Sequence, residues 1–416
     1  MLRIVLISLG LVLASCDSEV QTSSNIDANG SSVSVNTSAL DPALDGPIRT
    51  IMMGYLDQID TDYDAVASEL MAFESQVGQF LENPETSSMN AMRSGWLTAQ
   101  SSYELTTLHR YFSELVLSEE DVLTLFQLQY QINHWPILPG YVDYVADYQD
   151  SGIVNDITVI LDLESLRQEH GVFDLAEASL GFHVLEFLIW GENKDRQSER
   201  PASDYRAVSE LTNIQIDNGL QLDQISNNRR RQLLRINTEA LLTDFGRSQE
   251  IWLENSENLR SRLTAMNSVE TLILLIEAVT GMLTEEMLVR SLYPLLNGDY
   301  NESIQSPYSY STQNAVSAQL SSVERLLLES RADDGRSLDT ILVSLSTDFE
   351  EFFYQNFDAS KECLVLLYST LQSPGQTQGG SPTAAQTEFD VVECINLLTN
   401  MIDNLEQIKV SLSSSF

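Results

Sequence analysis

Apolar residues in this chain recur every three and four positions, over stretches long enough to decide the fold class. Between residues 48 and 82, Ile51, Met52, Tyr55, Leu56, Ile59, Ala65, Leu70, Phe73, Val77 and Phe80 keep mostly to that spacing. One face of a helix has this period, whereas a half-buried strand alternates. The pattern continues through 88–116, 119–131, 150–168 and 172–190. After a polar interval it resumes at 226–260, 267–295, 311–332, 337–372 and 386–412. Asn83-Pro84, Pro136, Pro139-Gly140, Gly298, Pro307 and Pro374-Gly375 punctuate the segments. The spacing predicts an all-α fold of two packed helical bundles, four-helix in type, with residues 47–225 in the first and 226–416 in the second. Roughly 370 residues beyond the N-terminal segment are also too many for one ordinary core.

The N-terminal segment stands apart. Met1-Leu2-Arg3 is followed by an apolar run from Ile4 to Val12 and then by Leu13-Ala14-Ser15-Cys16. The run is shorter than the about 20 residues a bilayer span requires, and it has the layout of an export signal. The L-A-S-C tetrapeptide resembles the lipobox of bacterial lipoproteins, whose cysteine is lipidated and becomes the first residue. That resemblance implies a signal peptide over 1–16, a lipid anchor on Cys16 and a place on the periplasmic side of the cell envelope. Asp17 resembles an inner-membrane retention signal used by some bacteria, so inner and outer membranes both stay open. Residues 17–46 contain no lysine or arginine and are rich in Ser, Asn, Asp, Val and Thr, the composition of a flexible tether.

Charge excludes one class of partner. With 61 acidic against 22 basic residues the formal net charge is −39, which repels phosphate backbones and argues against nucleic acid. The one basic cluster, Arg229-Arg230-Arg231 with Arg235, is expected to be ion-paired on a helix surface. Cys363 and Cys394 flank the Pro/Gly/Gln/Ser-rich stretch at 373–385 at similar distances, so an antiparallel helical hairpin brings them level. A disulfide between them is expected in an oxidising compartment.

The stretch ASLGFHVLEFLIWGEN, residues 178–193, places His183 and Glu186 on one face of a helix that is otherwise apolar all round. Two ionisable groups in such a helix must satisfy each other, find polar partners on other helices, or bind something. Gly181 beside them costs about 1 kcal/mol inside a helix and implies close approach by another backbone or a ligand. Three readings follow: a structural pair, a metallopeptidase site, or a metal- or ligand-binding site completed from other helices. The chain has only four histidines, His109, His134, His170 and His183, and lacks the H-E-x-x-H element of zinc peptidases.

The motif G-F-H-V-L-E-F-L-I-W-G resembles the G-x-H-x-x-E signature of the imelysin family, bacterial envelope proteins that are often lipoproteins. Upstream, I-N-H-W-P-I-L-P-G-Y-V-D-Y (132–144) is similar to a family I-N-x-W-P…Y-I-D segment. Downstream, E-R-P-A-S-D-Y (199–205) is similar to R-P-x-x-D-Y, and S-P-Y-S-Y-S (306–311) resembles a serine-rich family loop. The resemblance implies two helical bundles with His183 and Glu186 near their interface, and an envelope role linked to iron acquisition. It makes His183 and Glu186 the expected metal ligands of a site for iron or an iron-containing ligand, with iron preferred over zinc. Gly181, Trp135, Asp143, Tyr308, Ser309 and Ser311 are the expected binding residues around them. The family also carries a metallopeptidase label, which the histidine count supports weakly. The alternatives are a metal-dependent peptidase using His183 and Glu186, and a non-catalytic lipoprotein that binds other envelope proteins. Two departures stand out: Gln305 occupies a place where many relatives have glutamate, and Ile137-Leu138-Pro139 replaces a more polar stretch.

Overall fold

A computed structural model describes residues 40–413 except 195, 197, 347, 348 and 373–383. The expected signal peptide, the lipidation site Cys16 and most of the expected tether lie outside the described residues. So does nearly all of the stretch expected between the two cysteines. The described residues form no β-strand, and none of their helices is long and apolar enough to cross a membrane.

The chain enters through a turn at Pro42–Leu44, where the Asp41 carboxylate accepts from the Ala43 N–H at 2.9 Å, and continues as helix α1 (Asp45–Glu82). Its start lies inside the segment expected as tether. The buried face of α1 carries Ile51, Met52, Tyr55, Leu56, Ile59, Leu70, Phe73, Val77 and Phe80, as its spacing predicts, whereas Ala65 is exposed and Val66 takes the buried place beside it. Helix α2 (Thr86–Glu104) starts after Pro84, and α3 spans Thr107–Val116. These two were expected as one helix. The break is local: the Thr106 and Thr107 hydroxyls donate to the carbonyls of Tyr103 and Glu104, each at 2.7 Å, and draw those acceptors into a turn. Helix α4 (Glu119–Asn133) is capped by the Ser118 hydroxyl and opens on Glu119, Glu120 and Asp121, which suit the positive end of its dipole.

Between α4 and residue 225 the chain is mostly irregular. The helices expected over 150–168 and 172–190 shrink to Leu163–Glu169 and to α5 (Phe182–Trp190). Residues 153–161 have apolar spacing but form turns rather than a helix, and donors from another helix take several of their carbonyls. Arg229 donates to the carbonyls of Val154, Ile153, Asp156 and Val159 at 2.8–2.9 Å, and Gln232 donates to that of Leu161. Arg229 and Arg230 are therefore buried, rather than lying on a helix surface as expected.

Helix α6 (Ser226–Ala265) packs along α1 and against α4 and α5, all on the N-terminal side of the boundary expected at 225/226. Helix α7 (Ser268–Met282) continues as a π-helical stretch, Leu283–Leu292, and packs on α3. Helix α8 (Thr312–Glu324) packs on α2 and on α9 (Phe349–Leu371). Helix α10 (Ala384–Ser413) pairs with α9, where Cys363 and Cys394 are disulfide-bonded with their Cα atoms 5.6 Å apart. Asp62 of α1 adds a polar tie between distant segments, accepting from His109 Nε2 and from Arg325 Nη1, both at 2.8 Å.

Candidate functional site

Helix α5 is nine residues long and every one of them is buried. Glycines in the left-handed region close both ends, Gly181 at φ 102° and Gly191 at φ 69°. Gly181 precedes the helix instead of sitting within it. A Cβ there would lie 2.5 Å from the carbonyl oxygen of Gln131 and 2.7 Å from that of Ile132, so only glycine lets α5 meet the end of α4 this closely. The Gly181 N–H donates to Asn237 Oδ1 at 2.9 Å, and the turn before it is held by His170, whose Nδ1 accepts from the N–H groups of Ser179 and Leu180. Trp96 Nε1 donates to the Phe182 carbonyl and Arg93 to that of Ile189, which fixes both ends of α5 against α2.

That placement brings His183 and Glu186 together at 3.3 Å, Nδ1 to Oε2, both essentially inaccessible to solvent. His183 Nε2 lies 3.1 Å from Asn133 Oδ1. Glu186 Oε1 accepts three hydrogen bonds from one loop: from the N–H of Tyr308 at 3.0 Å, and from the N–H and hydroxyl of Ser309, each at 2.6 Å. Ser311 reaches the site indirectly, its hydroxyl 2.7 Å from that of Ser309. The loop is itself braced. Gln372, just past α9, donates to the Ser306 carbonyl at 2.8 Å and accepts from the Thr312 N–H at 3.2 Å. Tyr310, at φ 57°, donates to the Asn193 carbonyl and lies under the Arg196 guanidinium. A non-glycine residue held in that conformation marks a loop fixed by its surroundings.

A pocket of about 700 Å³ opens beside this pair and has His183 in its wall. Trp135 to Pro139 form one side, Ile304, Pro307, Tyr308 and Tyr310 another, and Leu371 with Gln372 close a third. Charge enters from Glu192, Lys194 and Glu302. The Arg290 guanidinium stacks 4.7 Å from the centre of the Trp135 ring and holds that wall in place. The lining is thus mainly apolar and aromatic with a few polar groups, and the volume suits a small organic molecule.

Of the residues expected at a site, His183, Glu186, Tyr308, Ser309 and Ser311 share one hydrogen-bonded cluster, and Trp135 faces the same pocket. Gly181 serves helix packing. Asp143 stands elsewhere: fully buried, it pairs with Arg230 at 2.5 and 3.0 Å and with Arg200 at 2.8 Å. Two cations held on its two oxygens explain its burial without a ligand. The sequence did not single out Asn133, which faces His183, or Glu104, whose carboxylate accepts from the Asn133 amide at 2.8 Å. Asn133 lies in the I-N-H-W-P motif and could have been singled out from it; Glu104 has no comparable signal.

As to metal binding, both nitrogens of His183 and both oxygens of Glu186 are engaged in protein hydrogen bonds. Among the described residues no group of three or more His, Cys, Asp or Glu side chains is placed to hold a metal ion. The arrangement offers a shaped apolar pocket against a satisfied polar cluster, and no mechanistic step through a resident metal follows from it.

The comparisons agree with this architecture. The family model described as Imelysin, classed among peptidases, matches residues 59–374. An iron-regulated protein A precursor from Parabacteroides distasonis ATCC 8503 has a similar fold, with a TM-score of 0.59 at 12% identity over 88% of this chain and 95% of that one. An imelysin-like protein from Psychrobacter arcticum 273-4 gives a TM-score of 0.53 at 13% identity, again over 88% and 95% of the two chains. No curated protein matches the sequence significantly.

Proposed function

Since the chain belongs to the imelysin family, we propose that it is an iron-related protein of the bacterial envelope whose pocket beside His183 and Glu186 binds an iron-containing organic ligand. The observation that carries the proposal is the pocket of about 700 Å³, walled by Trp135, Ile137, Leu138, Tyr308, Tyr310 and Leu371. Its apolar and aromatic surface suits an organic chelate better than a bare ion, which would need carboxylate or imidazole lone pairs that are already in use. Ile137 and Leu138, where the sequence departs from the family pattern, both line this wall. They add apolar surface to the lining, at about 25 cal/mol per Å² that a ligand covers. The link to iron rests on the family resemblance and on the similar fold of a protein named as iron-regulated.

Glu186, braced by His183, acts in this reading by holding the Tyr308–Ser311 loop against α5, so that the pocket is formed before the ligand arrives. The resemblance of residues 1–16 to an export signal with a lipobox at Cys16 supports a lipid anchor on the periplasmic side in this reading, with residues 17–46 as the proposed tether. Titration of the purified protein with haemin, an apolar ferric chelate, against ferric citrate and ferric ion tests the proposal. Haemin is expected to bind and to lose at least about tenfold in affinity in Trp135→Ala, the loss of one buried aromatic contact. Equal affinity for bare ferric ion, unaffected by Trp135→Ala, would overturn it.

A further inference from the structure

Glu104 closes α2, is fully buried and touches neither the Tyr308–Ser311 loop nor His183 directly. A buried carboxylate survives only with partners, and this one collects side-chain amides from four separate stretches. Gln305 Nε2 donates to it at 2.6 Å, Gln319 Nε2 at 2.7 Å, Asn133 Nδ2 at 2.8 Å and Gln100 Nε2 at 3.4 Å. The Thr107 hydroxyl adds a contact at 3.3 Å. The Arg110 guanidinium, stacked 4.9 Å from the centre of the Tyr103 ring, lies close enough for the Glu104 charge to act on it.

An amide has one donating end and one accepting end. Once the Asn133 NH2 group is committed to Glu104, its carbonyl oxygen is what remains to face His183 Nε2 at 3.1 Å. A carbonyl only accepts, so Nε2 must carry a proton. Nδ1 then faces Glu186 Oε2 at 3.3 Å. Two bare lone pairs there would repel, so a proton lies between them as well. Glu186 Oε1 is held by the Tyr308–Ser309 donors and leaves Oε2 for that role. A directed chain runs from Glu104 through Asn133, His183 and Glu186 to the loop that walls the pocket. The Gln305 NH2 group is fixed by the same carboxylate, and Gln305 lines the pocket too.

We infer that Glu104 is the positioning residue of the pocket floor: its carboxylate orients the Asn133 and Gln305 amides and, through Asn133, fixes the proton on His183 Nε2 and the shared proton between His183 Nδ1 and Glu186. This rests on the reading of the pocket as a ligand site, but its test requires no ligand. Glu104→Gln would keep the shape, lose the charge and turn an NH2 group toward donors that have no use for it. Asn133 would then be free to turn its amide, and His183 would lose the acceptor that defines its tautomer.

The test is nitrogen NMR of ring-labelled histidine, with four histidines in the chain and His183→Gln to assign the signals. In the unsubstituted protein Nε2 of His183 is expected to carry a proton toward Asn133, with Nδ1 hydrogen-bonded to Glu186. Glu104→Gln and Asn133→Leu should both shift the His183 ring signals, and haemin affinity should fall about tenfold, the worth of one hydrogen bond to a charged group. Variants that unfold at lower urea but keep the His183 signals unchanged would overturn the inference, since a merely structural Glu104 does just that. If Glu104→Gln does not fold, the unsubstituted protein still decides, because a bare Nε2 on His183 contradicts the chain. Failure of haemin to bind the unsubstituted protein counts against the ligand reading and leaves this NMR criterion standing.

Discussion

The Glu186 Oε1 atom lies 2.6 Å from both the backbone nitrogen and the hydroxyl of Ser309, across 123 residues of chain. One carboxylate on a buried helix thereby organises a loop from the other half of the molecule. Replacing Glu186 with glutamine removes the charge and sets an NH2 group against one of its partners. We expect a loss of about 2–4 kcal/mol, in the range for breaking a buried charged cluster. Ser309→Ala removes one donor and leaves the two N–H groups, so its cost should be about 1 kcal/mol. Urea unfolding of the three proteins measures both.

Gln305 sits against Glu104, with the amide nitrogen 2.6 Å from a carboxylate oxygen. Gln305→Glu puts a second carboxylate in that contact, where two like charges cannot both ionise without cost. The variant should lose at least about 2 kcal/mol at neutral pH. The sign with pH is definite. A carboxyl held protonated in the folded state binds a proton that the unfolded chain releases, so the penalty shrinks as pH falls. Unfolding midpoints of the variant and its parent should therefore converge between neutral and acidic pH.

How much of this was legible beforehand depended on where each residue's partners lie. Helix α1 could be read almost end to end because its own spacing declares the buried face. His183 and Glu186 stood out because charge inside a wholly apolar helix demands an explanation. The stretch at 153–161 misled, since Ile153, Val154 and Leu161 have helical spacing while Arg229, on a different helix, takes the carbonyls. Glu104 could not be found at all. It lies in an ordinary polar run, and the amides that define it come from residues 100, 133, 305 and 319. Asp143 looked like a site residue for want of any sign that Arg200 and Arg230 would fold onto it.

His170 makes the turn before Gly181 sensitive to acid. Its Nδ1 accepts from the N–H groups of Ser179 and Leu180, and burial pulls its pKa from 6.5 to about 4. Between those values the unfolded chain holds a proton that the folded protein does not. The contribution is thus complete above about 6.5 and is lost as pH falls toward 4, by roughly 1–3 kcal/mol. His170→Asn keeps an acceptor near the same N–H groups without titrating. Its stability should fall less than that of the parent between pH 6.5 and pH 4.5, as measured by urea unfolding at about those two values.

The Cys363–Cys394 bond closes a sequence separation of 31 residues between α9 and α10. Chain-entropy reasoning gives about 3–4 kcal/mol for a loop of that size. Gln372 follows α9 and clamps the Ser306–Thr312 loop, so loosening the hairpin should be felt at the pocket. Reduction is expected to lower the urea midpoint and also to weaken haemin binding. Loss of stability with unchanged binding would separate the hairpin from the site.

A crystal structure of the protein grown with haemin tests the central claim most directly. Iron anomalous density is expected in the pocket between Trp135, Tyr308 and Leu371, with the hydrogen bonds from Ser309 to Glu186 intact. Iron bound directly by His183 and Glu186, with the Asn133 and Ser309 contacts broken, would contradict it, as would density only elsewhere on the surface.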